Sequence, residues 1–170
     1  MKYLYVCEKK LPIEESKEMD IRCVQPSFWK STNILNEKIS IKSFLVRKLF
    51  TWMSKGEMLI FSAYNASNQL MHTSYVVPRC WKFPYLHENE YEIGPCHTFS
   101  QFRGRGIYPR ILRHIVSTVG TEETKFYMVV NSNNESSIRG IEKAGFSRIG
   151  IMEVRGITKR YYIKNKESEE

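Results

Sequence analysis

The sequence predicts an α/β (α+β) fold built on one mixed, partly parallel sheet, and two observations carry this prediction. From residue 91 onward, strand-like and helix-like segments alternate, and this order is typical of parallel strands joined by a crossing helix. Earlier in the chain, the strand-like runs 57–64 and 69–77 flank Asn65-Ala66-Ser67-Asn68, a turn sequence that indicates a β-hairpin. Antiparallel pairing in the first half and parallel pairing in the second half make the predicted sheet mixed.

The spacing of apolar residues places the other elements. Apolar residues that alternate or run together predict six further strands, at residues 2–7, 20–25, 91–99, 125–130, 147–153 and 158–163. Helical spacing predicts helices over residues 36–55 and 106–119. A third helix is predicted to end at Ala144 and to begin at Asn133 or Asn134, which are both good N-cap residues. Residues 78–90 read as a loop. We expect one domain over residues 1–163 and a polar tail at 164–170.

Composition narrows the class of protein. The 170 residues include 26 Lys and Arg against 18 Asp and Glu, a net charge of +8 that indicates an anionic partner such as nucleic acid, a membrane surface or a phosphate-bearing small molecule. The 42% hydrophobic content excludes a disordered chain. No apolar run approaches the ~20 residues of a membrane-spanning helix. No Cys or His spacing fits a metal site, and without an export signal we expect free thiols and a cytoplasmic protein.

A basic turn with two glycines, Gln101 to Pro109, precedes the helix at 106–119. Gly104 and Gly106 would let the backbone approach a ligand closely, and the first helical turn offers unpaired N–H groups at the positive end of the dipole. Four arginines add positive charge there: Arg103, Arg105, Arg110 and Arg113. The turn therefore predicts a pyrophosphate cradle, and a tight turn flanked by solvated arginines is the alternative. Walker A and Rossmann loops are disfavoured, because their Gly-Lys-Ser/Thr and third glycine are missing.

Two motifs resemble the GNAT acyltransferases, a family that uses acetyl-coenzyme A. Arg103-Gly104-Arg105-Gly106 matches the family's Arg-Gly-x-Gly, and Asn134 with Ser137, followed by Glu142-Lys143-Ala144-Gly145-Phe146, matches its Asn-x-x-Ser helix. The resemblance covers about residues 55–153. It implies the GNAT fold, a twisted mixed sheet of about seven strands flanked by about four helices. In that fold the sheet is splayed between strands 4 and 5, and residues 91–99 correspond to strand 4.

The resemblance also implies a cofactor site. Coenzyme A pyrophosphate would be bound by backbone N–H groups of the turn, which comprises Arg103, Gly104, Arg105, Gly106, Ile107 and Tyr108. The strand at Cys96, His97 and Thr98 would pair with the pantetheine arm, and one of its N–H groups would polarise the acetyl carbonyl. Asn134 would hydrogen-bond to the pantetheine, and Ser137 would lie near the cofactor.

The chain departs from the family pattern at two positions. Tyr108 stands where many members have Gly or Ala, and Ile141 stands where the family's frequent general-acid tyrosine would be. A second register, Gln101-x-x-Gly104-x-Gly106, also satisfies a looser form of the motif, although Ile111 and Leu112 favour the first register. Proton delivery to the thiolate is therefore expected from another residue or from water.

An amine must lose a proton before it attacks a thioester, so the reaction needs a base or a water chain. Glu92 is the first candidate, because Glu92 to Cys96 resembles the strand that carries the base in the histone-acetylating branch of the family. His97 and His72 are the alternatives. We interpret Cys96 as a small buried residue and not as a nucleophile.

These features together predict an acetyl-coenzyme A-dependent N-acetyltransferase with direct transfer to a primary amine in a ternary complex. The acceptor would be a small amine such as an amino sugar or another cell-surface precursor, and a peptide or protein amine is the competing acceptor. The alternative is a non-catalytic GNAT domain with a coenzyme A-binding or regulatory function. Nucleic acid is not expected as a partner, because no recognition signature is present. No metal is expected, and the oligomeric state is left open, a homodimer included.

Overall fold

The computed structural model describes residues 1–8, 19–26, 48–49, 51–52, 54, 56–156 and 159–164. Within them the chain forms eight strands and two helices, in the order β1 (Lys2–Cys7), β2 (Asp20–Val24), β3 (Leu59–Tyr64), β4 (Leu70–Pro78), β5 (Glu90–Thr98), α1 (Ile107–Val119), β6 (Lys125–Asn131), α2 (Glu135–Lys143), β7 (Ser147–Arg155) and β8 (Arg160–Ile163). A single 3-10 turn, Ser100–Phe102, joins β5 to the glycine turn. Residues 48–49 and 51–52 are helical, and most of the remaining helix predicted at 36–55 lies outside the described residues.

All eight strands belong to one sheet, in the order β2-β3-β4-β5-β6-β1-β7-β8. Neighbouring strands pair antiparallel, except that β5 and β6 pair parallel. The exception follows from connectivity, because α1 crosses over the sheet between these two strands and returns the chain in the same direction. The predicted mixed, partly parallel sheet is confirmed.

The number of strands differs from the expected value of about seven. The sheet has eight, because β2 pairs with β3 at one edge and β8 pairs with β7 at the other. The predicted count of about four helices is not tested. The described part of the chain contains two helices and the helical residues 48–49 and 51–52, but residues 9–18 and 27–47 lie outside it.

Two hydrophobic clusters pack on the opposite faces of the sheet. The first joins the apolar stripe of α1 to the sheet and includes Tyr5, Phe61, Ile93, Ile107, Ile111, Leu112, Ile115, Phe126 and Ile141. The second lies between the other face and the loop after β4, and consists of Met58, Ile60, Val77, Cys80, Phe83 and Leu86. β1 lies in the middle of the sheet, which explains why its last four residues are buried irrespective of the face they point to.

Local sequence signals account for the ends of the elements. Asn65 Oδ1 accepts a hydrogen bond from the N–H of Gln69, which closes the predicted turn between β3 and β4. Asn134 Oδ1 accepts from the N–H of Ser137 and caps α2, as predicted. All four cysteines are free thiols. None of the helices in the described ranges has the length and hydropathy that crossing a bilayer requires.

A substitution at Leu112 tests how much the apolar face of α1 contributes to stability, because the Leu112 side chain is fully buried. Leu112→Ala removes buried methyl groups and leaves a cavity, so we expect the free energy of unfolding to fall by about 2–5 kcal/mol. Ile149→Ala is the control, since Ile149 is 53% exposed, and its effect should stay within about 0.5 kcal/mol. Urea titration of both variants measures the difference, and equal effects would contradict this description of the core.

Candidate active site

The central feature of the site is a gap between β5 and β6. The two strands pair only through Glu90–Glu92 and residues 125–127, and then diverge. Beyond Glu92, β5 continues its pairing with β4 as far as Thr98, so its other edge has no strand partner in the described part of the chain. This free edge borders a cleft of about 630 Å³ between β5 and the starts of the two helices.

The cleft collects most of the residues singled out from the sequence. Ten of the eleven residues predicted to bind the cofactor line it: Cys96, His97, Thr98, Arg103, Gly104, Gly106, Ile107, Tyr108, Asn134 and Ser137. Arg105 does not line the cleft, and its guanidinium carbon lies 5.7 Å from the centre of the Phe102 ring. Sequence reasoning missed the α2 residues Ser136, Arg139, Gly140 and Lys143. Their recurrence every three or four residues, one face of a helix, is the signal that could have found them.

The first turn of α1 has no side-chain cap and no acidic residue. Its N-cap, Gly106, adopts the left-handed conformation (φ +69°). Gly104 is also left-handed (φ +78°). A Cβ atom at either glycine would meet nothing within 4 Å, so backbone conformation and open space on the cleft side explain the glycines. Unpaired N–H groups and the helix dipole together favour a phosphate here.

Asn134 and basic side chains complete the opposite wall. Asn134 Oδ1 accepts from the Ser137 N–H at 3.2 Å and from Ser136 Oγ at 3.1 Å. The side-chain oxygen of Asn134 thus caps α2, and the predicted hydrogen bond to pantetheine would come from the amide nitrogen. Arg139 and Lys143 add positive charge to the same wall, which favours an anionic ligand.

A chain of hydrogen bonds runs along the floor of the cleft. His72 Nδ1 lies 2.7 Å from Thr98 Oγ1, His72 Nε2 lies 2.7 Å from Ser74 Oγ, and Ser74 Oγ donates to Cys96 Sγ at 3.1 Å. Because the Ser74 proton goes to Cys96, we assign the His72 proton to Nε2, which leaves Nδ1 to accept from Thr98. Burial, reinforced by His97, lowers the pKa of His72 to about 4. His72 is therefore a neutral structural link and not a suitable base.

Cys96 accepts hydrogen bonds and does not behave as a nucleophile. Burial raises the pKa of its thiol to about 12, although hydrogen bonds from Ser74 and Tyr108 act in the opposite direction. A thiol with that pKa stays protonated, and only the thiolate is reactive. Among the residues that the structure describes, no three His, Cys, Asp or Glu side chains come together as metal ligands.

Glu92 lies at the point where β5 and β6 separate, and it is buried. Its Oε1 accepts from the N–H of Val129 at 3.0 Å, and its Oε2 accepts from Tyr85 Oη at 2.6 Å. Burial raises the pKa of this carboxyl to about 8, against the opposing effect of those two hydrogen bonds. Glu92 does not line the cleft, whereas His97, the other predicted catalytic residue, lines it and is exposed. Of the two predicted catalytic residues, only His97 therefore faces the cleft.

On the side of the sheet away from the cleft, Tyr85, the partner of Glu92, packs against the second hydrophobic cluster together with Tyr127 and Tyr161, and these three tyrosines are here called the tyrosine face. The rings of Tyr85 and Tyr127 pack edge to face with centres 5.8 Å apart. Lys2 Nζ lies 5.3 Å from the centre of the Tyr161 ring and donates to its hydroxyl at 3.3 Å. A second cavity of about 340 Å³ opens here, lined by Pro84, Tyr85, Glu153, Arg155, Tyr162, Ile163 and Lys164. Tyr85 connects this cavity to Glu92.

Solved structures of acetyltransferases share this fold. An acetyltransferase of the GNAT family from Colwellia psychrerythraea aligns at TM-score 0.59 and 17% identity over 86% of this chain and 52% of that chain. A GCN5-related N-acetyltransferase from Sphaerobacter thermophilus aligns at TM-score 0.58 and 14% identity over 87% and 48%. A proposed acetyltransferase from Acinetobacter baylyi aligns at TM-score 0.55 and 17% identity over 84% and 88%.

These likenesses establish the GNAT fold for this chain, and they extend to the fold alone, because one fold hosts many activities. The chain spans about half the length of the Colwellia and Sphaerobacter proteins. No protein-family model and no curated protein matches its sequence. The function must therefore be argued from the site.

The raised pKa of Glu92 predicts an unusual dependence of stability on pH. Between about pH 5 and pH 8 the carboxyl is ionised in the unfolded chain and protonated in the folded one, so the native state holds the extra proton and loses stability as pH rises. Relative to Glu92→Gln, whose amide oxygen still accepts from Val129, the wild type should lose on the order of 1 kcal/mol per pH unit.

Denaturant titrations of both proteins from pH 5 to pH 8 measure this difference. His72, whose pKa shifts the opposite way, is present in both and cancels. A constant difference between the two proteins across this range would show that the Glu92 carboxyl is already ionised.

Proposed function

We propose that this chain, which has the GNAT fold, is an acetyl-coenzyme A-dependent N-acetyltransferase that transfers the acetyl group to a primary amine. The observation that carries the proposal is the gap between β5 and β6, because it has an anion-binding helix start on one side and a buried carboxyl on the other. A donor and an acceptor approaching from opposite sides would meet at this gap.

The lining of the cleft supports coenzyme A as the cofactor. The uncapped first turn of α1, together with Gly104 and Gly106, suits the pyrophosphate. The free edge of β5 over Cys96–Thr98 suits the pantetheine arm, whose amides would extend the sheet as another strand does. An N–H group of that edge would polarise the acetyl carbonyl, which the thioester presents for attack.

The tyrosine face supports an acceptor site on the opposite side of the sheet. The second cavity reaches Glu92 through Tyr85, whose hydroxyl holds the carboxyl at 2.6 Å. A carboxyl with a pKa of about 8 is a suitable base near neutral pH, because catalytic bases work best when their pKa lies close to the working pH. We assign Glu92 to receive the proton of the amine, and His97, on the cleft side, is the alternative.

Direct transfer within a ternary complex fits this arrangement better than a covalent intermediate. Cys96 is the thiol nearest the free strand edge, and its raised pKa keeps it unreactive. The amine nitrogen would form its bond to the acetyl carbon while the carbon–sulfur bond breaks, and coenzyme A would leave with the sulfur electron pair.

The second cavity supports a small acceptor. Its volume of about 340 Å³ favours a small amine such as an amino sugar over a folded protein, and a peptide amine is the competing acceptor. A non-catalytic protein that only binds coenzyme A is the second candidate function. It is favoured by Ile141, which is 1% exposed and provides no proton donor at the position where the family frequently has a tyrosine.

Gly106 tests the cofactor site. Gly106→Val places a branched side chain at a left-handed position on the cleft side of the turn, so it should abolish the thermal stabilisation that saturating coenzyme A gives the wild type. Gly150→Val is the control, because Gly150 has open space and no left-handed strain. Differential scanning fluorimetry with and without coenzyme A measures the shift. No shift in the wild type would remove both candidate functions, and a shift retained by Gly106→Val would remove the phosphate cradle.

Glu92 tests the catalytic proposal. With acetyl-coenzyme A and a panel of amino sugars, polyamines and lysine peptides, Glu92→Gln should lower turnover about 10²–10⁴-fold, since the amide cannot accept a proton. For the wild type, kcat/KM should rise with pH and level off above about 8, where the carboxyl becomes ionised. The reaction rate is measured from the release of the free thiol of coenzyme A. A loss of less than threefold would transfer the role to His97 or water, and binding without turnover would favour the non-catalytic candidate.

A further inference from the structure

The carboxyl of Glu92 lies outside both cavities. Glu92 is 3% exposed, and it lines neither the cleft nor the second cavity. Its Oε1 accepts a hydrogen bond from the N–H of Val129, and its Oε2 accepts one from Tyr85 Oη. A peptide N–H is a donor only, whereas a hydroxyl can accept one proton while it gives up another. Of these two partners, Tyr85 is therefore the one that can carry a proton to or from the carboxyl.

Tyr85 also connects Glu92 to the second cavity, and its ring is held in place. It belongs to the loop after β4, where the N–H of Phe83 donates to the carbonyl of Cys80 at 3.0 Å and the N–H of Leu86 donates to the carbonyl of Phe83 at 3.3 Å. Phe83 and Leu86 are buried in the second hydrophobic cluster, and the rings of Phe83 and Tyr85 pack edge to face with centres 6.2 Å apart. The hydroxyl is thus fixed on Glu92, while Tyr85 lines the second cavity.

The hydroxyl of Tyr85 does not ionise on its own. Burial, reinforced by Glu92, raises its pKa above the ordinary value for tyrosine. A proton can therefore cross this hydroxyl only if the oxygen receives one proton as it gives up the other. The distance of 2.6 Å between Tyr85 Oη and Glu92 Oε2 falls within the range of about 2.5–2.7 Å for a hydroxyl that donates to a carboxylate. The second of the two transfers thus needs no movement of heavy atoms.

We propose that Tyr85 is a proton relay, through which an amine bound in the second cavity passes its proton to Glu92. The proposal rests on the proposed function, because it requires Glu92 to be the base. With Glu92 ionised, the ammonium gives one proton to Tyr85 Oη as Oη gives its own to Glu92 Oε2, so Tyr85 ends the step neutral. The nitrogen electron pair then attacks the acetyl carbon, the carbon–sulfur bond breaks, and the thiolate takes the second proton that the nitrogen loses. Glu92 later returns its proton to solvent along the same path.

The first test compares the dependence of kcat on pH in the wild type and in Tyr85→Phe, with acetyl-coenzyme A and the most reactive amine of the panel. Tyr85→Phe keeps the ring and removes the relay, so the plateau of kcat should fall about 10²-fold or more. A hydroxyl that only holds Glu92 would behave differently. Its loss would remove a hydrogen bond that lowers the carboxyl pKa, so the profile would move to higher pH and reach the wild-type plateau. That result would overturn the relay.

The second test counts the protons that move together. In mixtures of H₂O and D₂O, kcat of the wild type should vary along a curve, because two protons are in flight in one step. In Tyr85→Phe the same plot should be a straight line, since the paired transfer is lost. Equal plots for the two proteins would overturn the relay. The other titratable groups that act on Tyr85 or Glu92 are the same in both proteins: Lys2, Lys82, Tyr127 and Tyr161.

A double variant tests whether the two residues belong to one path. Tyr85→Phe combined with Glu92→Gln should lose no more kcat than Glu92→Gln alone, because the path is already cut, and additive losses would overturn the proposal. Tyr91→Phe is the control, since Tyr91 precedes Glu92 in β5 but stacks on Phe126, and it should keep the wild-type kcat. A loss of less than threefold in Glu92→Gln would overturn the base on which the relay depends. Failure of the wild type to bind coenzyme A would overturn the proposed function itself.

Discussion

The site depends on one hydrogen bond, which the N–H of Val129 donates across the gap between β5 and β6 to Glu92 Oε1. Where parallel pairing stops, backbone groups that face the gap lose their ladder partners. A buried donor without a partner costs about 1–3 kcal/mol, and a buried carboxyl also requires hydrogen bonds. Each satisfies the other here. The strands can therefore separate within the core, which leaves the edge of β5 free on one side and Glu92 hydrogen-bonded to Tyr85 on the other.

The elements around this gap are predictable because their signals are local. The apolar spacing of α1, the left-handed Gly106 before it and the cap of α2 at Asn134 each depend on residues within one or two turns. The same holds for the hairpin of β3 and β4, whose turn closes through Asn65. Such signals place the residues predicted to bind the cofactor along one cleft, since the starts of two helices meet at the end of one strand.

The contacts that define the chemistry are long-range, and for that reason the sequence does not reveal them. Glu92 meets Val129 37 positions away, and Tyr108 packs against Gly140 in another helix. Glu92 is identified from its strand, but burial raises its pKa, and its hydrogen-bond partners come from the loop after β4 (Tyr85) and from β6 (Val129). Similarly, Tyr108 reads as a departure from a small-residue position until the glycine opposite it is known. The two positions compensate each other in volume.

Burial has opposite consequences for Glu92 and Tyr108, because their ordinary pKa values lie on opposite sides of neutrality. Raising the pKa of a carboxyl to about 8 brings it into the range where it exchanges protons with an amine at working pH. Raising the pKa of a phenol removes it from that range and leaves a permanent hydrogen-bond donor. Burial thus leaves the first group able to exchange a proton near neutral pH and the second able only to donate a hydrogen bond.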